Sequence, residues 1–164
     1  ILSGYYRMPY FPVDVFGTSS HLAFGDFQQT VEPLADDIQI SSIELNHPGG
    51  ACGYICATAS AKIAILLDNE FTEAQQPMLA RACEGADLVV WDGTYTEAEL
   101  AEKTGWGHSS IEQALSFSEI ADIGHMLITH HAPVRDDDEM ARLQAIYAGD
   151  RLSFAHEGMA FRFD

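Results

Sequence analysis

His47-Pro48-Gly49-Gly50-Ala51-Cys52-Gly53-Tyr54 is the stretch from which the rest of the chain is read. A histidine leads into a Pro-Gly-Gly turn. Those glycines let a loop bend sharply and bring backbone close to a ligand. Working outward, Asp68 follows the apolar run Lys62 to Leu67, His108 stands in Gly-Trp-Gly-His-Ser-Ser, and His130-His131 end the run Met126 to Thr129. Histidines and a carboxylate at the ends of buried strands are the material from which an α/β protein assembles a metal or catalytic site.

The elements around these residues support that setting. Strands are expected over Ile38 to Leu45, Gly53 to Thr58 and Lys62 to Leu67, with Ala59-Ser-Ala61 short enough for a hairpin turn. Glu73 to Glu84 reads as a helix, Ala86 to Trp91 as a buried strand and Glu97 to Lys103 as a short helix. Ser109-Ser-Ile-Glu112 has the pattern of a capping box opening a helix to about Ala121, with Ile111, Ala114, Leu115 and Ser118 on one face. His125 to Thr129 is a strand. Asp136 to Ala148 is a helix begun by acidic residues, and Arg151 to Phe163 gives one or two edge strands. Residues 1–35, with Met8-Pro-Tyr-Phe-Pro12, are expected to be irregular apart from a strand near 20–27. A meander followed by strand–helix alternation is an α/β layered pattern. His47, Asp68, Asp92 and His130 all fall just after strand ends.

At 164 residues the chain is about one domain, and 47% hydrophobic content suits a globular core. No run reaches the ~18 apolar residues of a membrane span, so no membrane partner is expected. The chain opens on Ile1-Leu-Ser-Gly4 without an initiator methionine, which leaves an upstream segment open. The formal charge is −17, from 25 acidic against 8 basic residues. Such a field repels a polyanion, so a small substrate or a partner chain is expected and a nucleic-acid polymer is not. Plain solubility is the alternative meaning of the charge. Cys52, Cys56 and Cys83 lack metal-finger spacing and read as buried free thiols of a reducing, cytoplasmic compartment.

For each polar residue two readings stand side by side. Asp68, delivered by a buried strand, either caps the following segment or must be paired or metal-bound. His130 and His131, adjacent on an extended chain, point to opposite faces, so at most one looks into a shared site. His108, between Gly107 and a helix cap, suits an anionic group such as phosphate at a helix N-terminus. Otherwise Gly-Trp-Gly-His is a turn that packs Trp106.

Taken together, these motifs resemble the metallo-β-lactamase fold hydrolases, in the branch holding the tRNA 3′-processing endonuclease and small cyclic-phosphate diesterases. The likeness runs over the chain and is most specific from Asn46 to Asp138. It implies part of a four-layer αββα sandwich with mixed sheets covered by helices. By resemblance, His47 before Gly53-Tyr54 is a ligand of a first metal and Asp68 bridges two metals. The histidine of His108-Ser109-Ser110 is catalytic near the scissile phosphate, and His130 is a ligand of the second metal with His131 behind it. The implied cofactors are two divalent ions, zinc first, with manganese or iron as alternatives. Such a pair activates a bridging water and clamps an in-line displacement.

Two departures shape the expectation. Ile55 stands where many relatives carry Arg. The family's His-x-His-x-Asp-His motif is missing, since the seven histidines (21, 47, 108, 125, 130, 131, 156) nowhere show that spacing. Gly4 to Val13 resembles the segment downstream of that motif. Residues 1–164 therefore read as the C-terminal portion of one such domain, from a parent hydrolase of a small phosphodiester or ester, and incomplete for catalysis alone. The rivals are a non-catalytic binding module of the same fold, and a half-site completed by another chain, for example in a homodimer.

Overall fold

In the computed structural model, residues 8–9, 32–35 and 37–163 are described. The expected strand near 20–27 lies outside them. Among the described residues, seven strands form one sheet in sequential order: β1 (Glu32–Ala35), β2 (Ile38–Leu45), β3 (Ala51–Ala57), β4 (Lys62–Leu66), β5 (Leu88–Asp92), β6 (His125–Thr129) and β7 (Leu152–Phe154). The first four pair antiparallel and the last four parallel. The meander is joined by tight turns, including Thr58 N–H to Ala61 O at 2.8 Å. The parallel strands need crossovers, supplied by α1 (Gln76–Cys83), α2 (Glu97–Leu100) with α3 (Ile111–Ile120), and α4 (Asp137–Tyr147).

Because the parallel strands advance in one direction, right-handed crossovers put the helices on one face. Alternation along the strands sends Ile43, Leu45, Ala64, Leu66, Val89, Trp91, Met126, Ile128, Leu152 and Phe154 to that face. There they pack with Leu79, Cys83, Ile111, Ala114, Phe117 and Leu143 in one core. Trp91, Phe71 and Phe117 form an aromatic knot, with ring centroids 5.2–5.6 Å apart. On the opposite face Cys52, Tyr54, Cys56, Ile63, Ile65 and Val90 remain partly exposed or exposed. One sheet and one helix layer, among the described residues, correspond to two of the four layers expected of the sandwich. Among the described residues, no helix is long and apolar enough to cross a membrane.

Several boundaries differ from expectation. The helix expected from Ser109 is capped by Ser110, whose side chain accepts from Gln113 N–H, and Gln113 completes the capping box where Glu112 was expected to. Both serines fit the pattern. Ser110 serves, because the Ser109 hydroxyl is committed to the Asn69 carbonyl. Ile111 and Ala114 are buried as expected, but the inner face continues through Phe117, and Leu115 is exposed. The tail forms only the short β7. Of the three cysteines Cys83 is buried, and burial pushes its thiol up to about 12; Cys52 and Cys56 are half-buried.

What positions the site is the register. Leu66, Trp91, Ile128 and Phe154 stand in one row across β4 to β7. The strands therefore end along a common rim, and the residues beyond them leave it side by side.

Candidate functional site

Asp68, Asp92, His108 and His130 meet on that rim, each offering a ligand atom, and these atoms all lie within 4.8 Å of one another. Asp68 and His130 lie just beyond the ends of β4 and β6, and both have left-handed backbone, φ 56° and 59°. Such a conformation is costly for residues other than glycine and clusters at functional sites. It turns the two side chains toward each other, with His130 Nε2 3.2 Å from Asp68 Oδ1, and both remain open, 38% and 50% exposed for His130 and Asp68.

Asp92 is fully buried at the end of β5. Its carboxylate receives the Asn69 N–H (3.3 Å), the Thr94 N–H (3.2 Å), the Thr94 hydroxyl (2.7 Å) and His108 Nδ1 (2.8 Å). Buried charge is tolerated only when hydrogen-bonded in this way. A carboxylate so occupied orients its neighbours and has little capacity left to bind an ion. With Nδ1–H donated to Asp92, His108 presents Nε2 as its working nitrogen. Its ring stacks on His130 at 4.9 Å.

Thr94 couples the two pairs. Its hydroxyl lies 2.7 Å from Asp92 Oδ1, 2.7 Å from the His130 carbonyl and 2.9 Å from His130 Nδ1. A proton on His130 Nδ1, donated to Thr94, leaves the Nε2 lone pair facing Asp68, the tautomer a metal ligand requires.

Three loops are tied together around this centre. Asn46 N–H donates to Asn69 Oδ1 (2.9 Å), and Glu70 N–H donates to the Asn46 carbonyl (2.7 Å). Glu70 then takes the Gly105 and Gly107 N–H groups on its carboxylate at 2.8 and 2.9 Å. Gly107, φ 86°, has no room for a side chain: a Cβ would fall 2.2 Å from His47 Cδ2. His47 accordingly lies edge-on to His108, ring centroids 5.7 Å apart, and does not join the four-residue cluster.

On the second side, Arg135 is almost fully buried and ties the loop after β6 to its neighbours. It donates to Glu99 Oε2 at 2.6 Å and to the Thr94 carbonyl at 3.1 Å. His131 turns away from the site and stacks on Phe154 at 5.8 Å. Burial lowers its basicity, helped by the nearby Arg135 and His130 charges and opposed by a backbone hydrogen bond to Ala155. Tyr95, T-shaped to His108 at 6.0 Å, is kept a neutral phenol by burial and by the Asp92 and Glu99 charges.

Of the residues singled out in the sequence, the structure brings together Asp68, His108 and His130. It sets His47 one ring away and adds Asp92, which sequence reasoning placed at a strand end without giving it a role. The only available signal was its position after Val89-Val90-Trp91.

No family model matches the chain. Among curated proteins it is 24% identical over 98 residues to ribonuclease Z of Bradyrhizobium diazoefficiens, covering 59% of this chain and 31% of that protein. It is 26% identical over 121 residues to ribonuclease Z of Bradyrhizobium sp., covering 72% and 36%. The chain thus spans about a third of the relatives it matches. Among solved structures it resembles the human short-form tRNase Z (TM-score 0.64, 18% identity, 82% of this chain and 46% of that one). It also resembles the metallo-β-lactamase fold protein YhfI of Bacillus subtilis (TM-score 0.65, 19% identity, 81% and 53%). These likenesses give the fold. The relatives' names also correct one expectation: a family of ribonucleases contradicts the exclusion of nucleic-acid polymers drawn from the −17 charge. Net charge sums over the whole surface and does not set the field at any one site.

Proposed function

We propose that this rim is one part of a metal-dependent phosphodiesterase site, a reading supported by the likeness of the chain to ribonuclease Z proteins and of its fold to metallo-β-lactamase fold structures. The observation that carries the reading is the convergence of Asp68, Asp92, His108 and His130 within 4.8 Å. The donor set fits a divalent ion. A carboxylate and imidazoles suit zinc, manganese or iron. Asp68 and His130 are the half-exposed pair with capacity to spare, and they would hold the ion, with His47 the adjacent imidazole. A bound ion there supplies Lewis acidity and an acidified water.

The remaining chemistry belongs to the chain. Asp92 fixes His108 with Nδ1 protonated, so that the imidazolium form offers Nε2–H to the oxygen leaving phosphorus. Thr94 holds His130 in register with that dyad. Glu70 and Ser109 fix the loop from which His108 projects, which keeps the proton donor in place without reorganisation as charge develops.

The ribonuclease names of the relatives support a phosphodiester as the bond cleaved. The His-x-His-x-Asp-His motif is absent from residues 1–164, and the remaining ligands of a two-metal site come, on this reading, from outside them. The test is hydrolysis of bis(p-nitrophenyl) phosphate with zinc or manganese, run beside a precursor tRNA. The protein at its native full length turns over the diester, and chelation abolishes turnover, while residues 1–164 alone do not exceed the metal-only background. Full turnover by residues 1–164 overturns the incomplete site. A metal-free, inactive full-length protein overturns the enzyme.

A further inference from the structure

Trp106 is 58% exposed, whereas the chain's other tryptophan, Trp91, is 1% exposed in the core. A single exposed aromatic is ordinary on a protein surface. What separates Trp106 is how firmly it is held there. Glu70 pins the amides on either side of it, Gly105 N–H and Gly107 N–H, and both glycines have left-handed backbone at φ 84° and 86°. Trp106 N–H closes a turn on the Lys103 carbonyl at 3.1 Å, and that turn lays the Lys103 ammonium over the indole, 4.3 Å from its centroid. The indole is thus fixed in solvent two residues before His108, on the loop whose Gly107 packs against His47. A planar apolar surface joined to a cation is the chemistry that binds a planar, anionic ligand.

We infer that Trp106 and Lys103 form a recognition platform on which the planar base of a nucleotide-like phosphoester stacks while its phosphate faces the Asp68–His130 cluster. This rests on the phosphodiester reading above. Stacking on an aromatic side chain tolerates any base and strengthens binding about tenfold or more. The Lys103 ammonium over the indole sets a positive charge on the platform itself in a strongly acidic chain.

The test is calorimetric titration of residues 1–164 in zinc-containing buffer with adenosine 5′-monophosphate, ribose 5-phosphate and adenosine, for the wild type and Trp106→Leu. Tryptophan fluorescence is followed in parallel, with buried Trp91 as the internal reference. The nucleotide is expected to bind about tenfold more tightly than ribose 5-phosphate and to quench the exposed indole. Trp106→Leu removes that advantage while the far-ultraviolet circular dichroism stays unchanged. Equal, Trp106-independent affinity for the nucleotide and ribose 5-phosphate overturns the platform and leaves the phosphodiester reading standing. Trp106-dependent binding of adenosine with no gain from phosphate overturns the placement of the phosphate at the Asp68–His130 cluster, and with it the proposal as stated. No binding by any of the three overturns the platform.

Discussion

Asp92 sets the state of the site at the scale of single residues. Fully buried, it is stabilised only by donors, and one of them is His108 Nδ1. Asp92→Asn removes the charge and turns one acceptor into a donor that conflicts with the Asn69 N–H, the Thr94 N–H, the Thr94 hydroxyl or the imidazole. We predict a loss of about 1–3 kcal/mol in folding stability by denaturant titration. We also predict a switch of the His108 proton from Nδ1 to Nε2 in nitrogen-15 spectra of the imidazoles. An unchanged tautomer would show that Asp92 does not govern His108. The sequence made Asp68, His108 and His130 legible because each follows an apolar run or shortly precedes a helix cap. Asp92 was not legible as a partner, since its histidine lies 16 residues further on and no local spacing links them. His47 was expected as a ligand of the first metal, and its loop carries it to the edge of the His108 ring, outside the four-residue cluster.

Among the elements, the parallel half of the sheet could be read closely because each strand is a short apolar run bounded by turn residues. Caps were harder. Adjacent serines at 109 and 110 offer two registers, and the hydrogen bond from the Ser109 hydroxyl to the Asn69 carbonyl chooses between them. The short helix α2 shows what local pattern leaves out. Its Glu99 closes a capping box with Thr96 and also receives Arg135, 36 residues away. Burial works against the Glu99 charge. Hydrogen bonds from the Thr96 backbone, from Arg135 and from the Thr96 hydroxyl, with the Arg135 charge, outweigh it and hold the carboxyl below its ordinary range. A carboxyl lowered in the folded state contributes stability above its unfolded pKa, and that contribution fades as pH falls through the folded value. Glu99→Gln is therefore expected to lower the unfolding midpoint above about pH 5, with the difference from wild type shrinking below about pH 4. Thermal melts across pH 3–8 check this. A difference that persists at pH 3 would assign the effect to packing and not to the charge.

For the whole molecule, strand order explains why one sheet face carries the helices and the core while the other keeps Tyr54 exposed and Ile63, Ile65 and Val90 only partly covered. It also explains why the rim of β4 to β6 gathers the chemistry: parallel strands in register end together. Composition was informative about globularity and misleading about partners, because a charge of −17 is a property of the total surface and the site is a few side chains. The central claim is that Asp68 and His130 hold a divalent ion, beside a dyad that handles a proton. The most direct measurement is zinc affinity of residues 1–164, by competition with a chromophoric chelator, in the wild type, Asp68→Asn, His130→Ala and His125→Ala. His125 sits at the start of β6, bonded to Ser153 at 2.7 Å, and serves as the remote control. Zinc bound by the wild type and by His125→Ala, and weakened more than tenfold in Asp68→Asn and His130→Ala, is the predicted result. Absence of binding, or binding indifferent to Asp68 and His130, would contradict it.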